Sequence, residues 1–203
     1  MYKTGLEGYY SIKNNQKMRF GYTTGSCAAG AAKAAARMLL GDESITRETL
    51  LTPKGILLNL DILHITRGKN WVSCAVRKDA GDDPDITDKL EIFAKVEKCD
   101  QPGIQILGGP GVGIVTKKGL EQPVGSPAIN KVPRMMITEE LEAVSRENQY
   151  IGGLCVTISV PEGEKTAKRT FNPRLGITGG ISILGTSGIV EPMSEAALIK
   201  SIE

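Results

Sequence analysis

Apolar positions along this chain keep two rhythms, one of three to four residues and one of two, and the changeover falls at Gly41. Before it, Ala28, Ala32, Ala35 and Leu39 share one face at helical spacing. Ser26 is a good N-cap and Gly41 a good residue just past a C-terminus, so the spacing predicts one helix of about four turns. Seven alanines and Gly30 leave that helix little bulk, which suits it to lie close against a sheet. A second stripe, Ser26, Gly30, Lys33 and Arg37, is small near the N-terminus and cationic further on. Residues 1–20 keep neither rhythm and read as an irregular arm.

Beyond Gly41, Ile56, Leu58, Leu60 and Ile62 alternate with polar neighbours. The phase then slips so that Leu63 and Ile65 become the apolar set, which predicts a bulge. Val72, Cys74 and Val76 mark a strand after a turn at 67–70, and Ile92, Ala94 and Val96 mark another. The first half is therefore a helix followed by an antiparallel meander. Residues 104–107 and 114–115 add short β segments. Residues 125–136, holding Pro127 and Pro133, read as extended, with Thr138 capping a helix from 139 to about 148. Leu154, Val156, Ile158 and Val160 alternate faultlessly against Cys155, Thr157 and Ser159. A short helix is expected at 164–170, and Ser194 opens another that runs to the final residue.

Composition narrows the function classes. With 203 residues and 40% hydrophobic content the chain can bury one substantial core, and a single globular domain is favoured. Basic and acidic residues nearly cancel, 25 against 23, so no broad field draws the chain to nucleic acid or an anionic membrane, and any anion recognition must be local. Aromatic residues make up only 4%, too few for single-strand stacking platforms. Cys27, Cys74, Cys99 and Cys155 form no CxxC pair, which argues against a zinc site and a disulfide framework alike. The N-terminus lacks the apolar core of a signal peptide, and the longest uncharged run, 175–190, is too short and too rich in Gly, Ser and Thr to span a bilayer. A reducing cytoplasm is the expected compartment.

Three stretches carry candidate chemistry. Thr23, Thr24, Gly25 and Ser26 set hydroxyls and the free N–H groups of a first helical turn together, a candidate anion site. Residues 79–88 crowd five carboxylates into ten positions, Asp82, Asp83 and Asp85 among them. Read locally this is a solvated polar loop, a metal site or a carboxylate site. The spacing lacks the glycine and distal glutamate of an EF-hand, so no metal is assigned. A carboxylate whose pKa is raised by its neighbours would serve as a base or face a cationic substrate. Residues 108–113 are glycine-rich, but the β segment after them excludes a dinucleotide fingerprint, and no Gly-Lys-Ser/Thr run supplies a P-loop. Residues 170–194 again interleave glycines and hydroxyls on a β-branched background.

These stretches in series resemble a known family. Tyr22-Thr-Thr-Gly-Ser-Cys-Ala-Ala, Asp82-Asp-Pro-Asp-Ile-Thr87, Gly108-Gly-Pro-Gly-Val-Gly113, Pro127-Ala-Ile-Asn130 with Pro133-Arg134, and Phe171-Asn-Pro-Arg-Leu-Gly-Ile177 through Gly185 to Ser194 are similar to the cobalt-precorrin-5B C1-methyltransferases of anaerobic cobalamin biosynthesis. The resemblance implies an α+β two-layer sandwich of mainly antiparallel sheet over residues 1–193. It also implies that residues 194–203 begin a helix leading to a C-terminal domain that family members carry and this chain lacks. It implies S-adenosylmethionine as methyl donor and a cobalt-corrin substrate rimmed by acetates and propionates. Set against that chemistry, Thr23, Thr24, Gly25, Ser26, Lys33, Arg134 and Arg174 are the candidate substrate contacts. Asp82, Asp83 and Asp85 are the candidate catalytic carboxylates. Gly109, Gly111, Gly113, Gly179, Gly180 and Thr186 are the candidate cofactor contacts. A corrin-binding module without independent turnover is the alternative.

Overall fold

A computed structural model describes residues 3–41 and 43–193; the helix expected from Ser194 lies outside them. In chain order the strands are β1 (Tyr10–Lys13), β2 (Gln16–Arg19) and β3 (Gly21–Tyr22), followed by helix α1 (Thr24–Leu40). Then come β4 (Arg47–Leu51), β5 (Leu57–Asp61), β6 (Leu63–Arg67), β7 (Trp71–Arg77), β8 (Glu91–Cys99), β9 (Ile104–Gly108), β10 (Gly111–Val112) and β11 (Ile114–Val115). Helix α2 (Lys131–Glu147), β12 (Gly153–Ser159), α3 (Gly163–Ala167), α4 (Asn172–Leu175), β13 (Ile177–Thr178), β14 (Gly180–Ile181) and β15 (Ile189–Val190) complete the described chain.

A five-stranded sheet of order β6-β7-β8-β12-β9 is antiparallel throughout except for the β12–β9 pair. Period-two alternation gives it one apolar face: Val72, Cys74, Val76, Ile92, Ala94, Val96, Leu154, Val156 and Ile158 are all buried. Helix α1 lies on that face, and α2 packs beside α1. The expected α+β two-layer arrangement of mainly antiparallel sheet and packed helices is the one observed. All seven alanines of α1 are inaccessible, so the helix is covered on nearly every side. Gly30 lets it close on Leu60, whose Cδ1 would collide with any Cβ there.

Several boundaries differ from expectation. Residues 10–19 form a β-hairpin rather than an irregular arm. Thr23, not Ser26, caps α1: its hydroxyl accepts the Ser26 N–H at 3.2 Å, and Ser26 sits inside the first turn. The stretch read as extended up to residue 136 contains the first two turns of α2, which starts at Lys131 and not at Glu139. Pro133 falls in the first turn, where an N–H has no intrahelical partner to lose. The phase slip after Ile62 is a change of sheet: β5 pairs with β4, the strand that local alternation missed, while β6 joins the five-stranded sheet. The bulge is present within β6, where the register to β7 shifts between Leu63 and Thr66 and His64 has φ 52°. Among the described residues no helix is long and apolar enough to cross a membrane.

Candidate functional site

Helices α1 and α2 run side by side in the same direction. Gly25 abuts Pro133 near their starts, Lys33 pairs with Glu140 at 2.9 Å in their middles, and Gly41 lies near the Asn148 amide at their ends. Both positive helix ends therefore point the same way. Residues 182–188 cross them. The Gly25 N–H donates to the Leu184 carbonyl (3.0 Å), the Thr23 N–H to the Gly188 carbonyl (3.1 Å) and the Asn130 N–H to the Ile183 carbonyl (2.9 Å). Side chains repeat the pattern. Ser26 Oγ donates to the Gly188 carbonyl at 2.7 Å, and Thr24 Oγ1 accepts the Leu184 N–H at 3.0 Å. Thr23, Thr24 and Ser26 are buried, so the hydroxyls read as an anion site are committed to the protein's own oxygens. What faces outward is the far edge of the crossing segment, where Leu184 and Thr186 are exposed.

Arg134 stands beside this junction in the first turn of α2, half-buried, with its Nε donating to the Ile129 carbonyl at 2.9 Å. No carboxylate pairs with it among the described residues, and burial pulls its pKa below the ordinary guanidinium value. A partly desolvated cation at a positive helix end is poised for an anionic group from outside. Lys33 is placed differently: it is two turns further along α1, held by Glu140, by Glu48 at 3.9 Å and by the Thr49 carbonyl. Arg174 is exposed on α4 with its guanidinium 5.9 Å from the Phe171 ring centroid.

The acidic loop approaches α1 from the other side, through β3. Tyr22 N–H donates to the Asp79 carbonyl, and β15 closes on β3's opposite edge. Each carboxylate has a defined partner. Asp79 takes the Arg19 guanidinium with both oxygens, at 2.6 and 3.0 Å, and Asp82 accepts the Arg19 N–H. Asp83 Oδ1 accepts the Met193 N–H at 2.9 Å. Asp85 binds the Lys78 ammonium through Oδ2 and the Thr87 N–H and hydroxyl through Oδ1. The expected upward shift is reversed at Asp85: burial pushes its pKa up, but the Lys78 charge and the Thr87 hydrogen bonds outweigh it and hold the group below the usual carboxylate range. Asp82 is exposed and Asp83 half-buried, and each keeps one oxygen without a protein donor among the described residues. Among those residues no cluster of His, Cys, Asp and Glu is arranged to hold a metal ion.

Two of the candidate glycines, Gly111 and Gly180, serve close backbone-to-backbone contacts. Gly111, at φ +76°, lies against the Val160 carbonyl and pairs with Gly180 in the parallel β10–β14 bridge, and Gly113 packs on Ile177. Gly109 meets Ser159 Oγ. Gly179, at φ +78°, has open space around it. All four cysteines are free thiols, with Cys27 buried against α1's surroundings and pushed up to about 12 by desolvation. Local reading missed the buried Lys78.

Comparisons with known proteins agree with this architecture. A family profile described as CbiD matches residues 11–192. The chain is 60% identical over 193 residues to a protein of Ruminiclostridium cellulolyticum, and 58% identical over 194 residues to one of Thermoanaerobacter sp.. Both carry the name cobalt-precorrin-5B C(1)-methyltransferase; the matches cover 95% and 96% of this chain but 50% and 52% of those proteins. The chain thus spans about half the length of the curated relatives it matches. A crystal structure titled cobalamin biosynthesis protein (cbiD) from Archaeoglobus fulgidus superposes with a TM-score of 0.70 at 34% identity, over 96% of this chain and 62% of that one.

Proposed function

The chain belongs to the CbiD family, and on that premise we propose that it supplies the substrate-holding part of an S-adenosylmethionine-dependent methyltransferase acting on C-1 of cobalt-precorrin-5B, with residues 1–193 as its N-terminal domain. The observation that carries this reading is the 60% identity, along 95% of the chain, to a relative of that name. The cytoplasm is the compartment that fits such chemistry.

The methyl donor supplies an activated methyl on a sulfonium; transfer breaks the sulfur–carbon bond, leaves its electrons on sulfur as a thioether and forms a bond to the ring carbon. The chain's own contribution is to hold and orient the macrocycle. Arg134 offers a guanidinium free of carboxylates to one acetate or propionate of the corrin rim. Thr23, Thr24 and Ser26 act behind it, pinning residues 182–188 so that Leu184 and Thr186 present a fixed edge. Asp82 and Asp83, each with an uncommitted oxygen, are the groups able to take a proton or to balance the sulfonium charge.

A second reading is favoured by one fact, the half-length coverage of the relatives: a corrinoid-binding module that does not turn over alone. Incubating the chain with cobalt-precorrin-5B and S-adenosylmethionine, followed by mass analysis of the corrin, separates the two. Gain of one methyl group supports the enzyme reading, and corrin binding without that gain supports the module. Absence of corrin binding overturns both.

A further inference from the structure

Residues 180–184 run extended against the start of α4. Gly180 and Ile181 pair with β10, and Ile183 bridges to Ile129. Side chains along this stretch therefore alternate: Ile181 and Ile183 are buried in the core, while Ser182 and Leu184 face the other way. Asn172 covers Ser182 on that face, its Oδ1 accepting the Ser182 hydroxyl at 3.3 Å and its Nδ2 donating to the Gly180 carbonyl at 3.1 Å. Leu184, about 7 Å further along, is 49% exposed.

Asn172 also fixes its neighbour, Phe171. The Phe171 carbonyl accepts the Arg174 and Leu175 N–H groups at 3.0 and 3.1 Å, and Thr170 Oγ1 accepts the Asn172 N–H at 3.2 Å. On this pinned backbone the ring stands 59% exposed, and Leu175, one turn on, is exposed on the same side of α4. A large ring left in water forgoes the stabilisation of burial. Phe171, Leu175 and Leu184 together form an exposed apolar shelf around the Asn172–Ser182 contact.

Cations stand at the rim of this shelf. The Arg174 guanidinium lies over Phe171, 5.9 Å from the ring centroid, and the stem of Lys117 occupies the space that Gly176 leaves at the end of α4. Arg134 reaches the other side through Ile129, the residue that bridges to Ile183. No carboxylate pairs with Lys117, Arg134 or Arg174 among the described residues, whereas Arg19, Lys33, Arg37 and Lys78 each pair with one. Apolar surface bordered by unpaired cations complements a flat ligand with an anionic rim.

We propose that this shelf completes the corrin seat: the macrocycle lies across Leu184 and Phe171, Arg134 holds one rim carboxylate at the α1–α2 junction, and Arg174 holds another on the far rim. This rests on the corrin substrate proposed above. Phe171 and Arg174 are specificity residues here, one meeting the ring and the other its charge. The ring lies along residues 182–184, and the 188–193 end of the same segment, where Asp83 accepts the Met193 N–H, is left for the methyl donor.

The test titrates the 203-residue chain with two stable cobalt corrins, following their visible bands. One is cobyrinic acid, whose rim carboxylates are free, and the other is cobinamide, whose rim carboxylates are capped as amides. The parent chain is expected to bind cobyrinic acid more tightly. Arg174→Met is expected to weaken cobyrinic acid about tenfold and to leave cobinamide unchanged. Phe171→Ser, an exposed position in a sample whose melting is checked, is expected to weaken both corrins about fivefold. Combining Arg134→Met with Arg174→Met should lose the product of the two single factors, because the two groups hold different carboxylates. Cobyrinic acid binding that Arg134→Met weakens, but that Arg174→Met and Phe171→Ser leave unchanged, overturns the shelf while the corrin reading stands. Equal losses for both corrins in Arg174→Met overturn its carboxylate contact. No band shift with either corrin overturns the shelf and the corrin reading together.

Discussion

The Lys78 ammonium, 2% exposed, lies 2.7 Å from Asp85 Oδ2 beneath the acidic loop. Removing an ammonium from water costs several kcal/mol, so a lysine held there depends on its counter-charge. The loop between β7 and β8 is thereby tied down from inside, at Lys78, as well as from outside, at Arg19 and Met193.

Asp85→Asn leaves that buried charge uncompensated. The expected loss is about 3–5 kcal/mol, read from urea denaturation, and the double change with Lys78→Met recovers most of it. Equal stability of parent and single variant would show that the pair is not coupled.

The same pair sets a pH dependence. Asp79 and Asp85 are both held below the ordinary carboxylate range in the folded state, so each contributes stability that is complete above the unfolded carboxylate value, about 4. That contribution is lost as pH falls through the depressed folded values. Urea midpoints measured from pH 7 downward should hold until near pH 5 and then fall, and Asp85→Asn should fall less steeply.

Thr24→Val removes the acceptor of the Leu184 N–H and a donor to the Leu184 and Ser182 carbonyls. A loss of about 1–3 kcal/mol is expected, with Thr24→Ser retaining most of the stability. Thermal melting of the two variants makes the comparison.

Gly55 and Gly111 share a left-handed backbone, φ +79° and +76°, but only Gly111 faces a wall. Gly55→Ala should cost about 1–2 kcal/mol, the conformational penalty alone. Gly111→Ala adds a collision with the Val160 carbonyl that no side-chain rotation relieves, and its denaturation midpoint should drop much further.

Arg134→Met tests the proposed corrin contact. Its one side-chain hydrogen bond among the described residues, to the Ile129 carbonyl, predicts a stability change of about 1 kcal/mol. Loss of a charge-assisted contact to a corrin carboxylate predicts affinity lower by about tenfold to a hundredfold, measured by corrin absorbance titration.

Strands were legible where one face meets α1 and the other meets water, because burial then imposes the period of two; β7, β8 and β12 follow their alternation closely. The hairpin at 10–19 was not, since its residues are exposed or half-buried and show no apolar rhythm. Its signal lay in Asn14-Asn15, both at positive φ, the residues that a tight hairpin turn favours. The start of α2 was hidden by Pro133, whose cost depends on its position in the helix rather than on its presence. At the candidate site, the Thr23–Ser26 stretch read correctly as a helix start. Its true hydrogen-bond partners, some 160 positions away, follow no local pattern. Lys78 reads as a solvated residue at a strand end, and only the fold turns it inward against Asp85.

That long reach across the sequence also carries an entropic cost. The carbonyls that close the first turn of α1 belong to Ser182, Leu184 and Gly188. Docking them there closes a loop of about 160 residues, so the start of α1 is held by contacts of high sequence separation, the kind that slows folding relative to a helix closed by its neighbours.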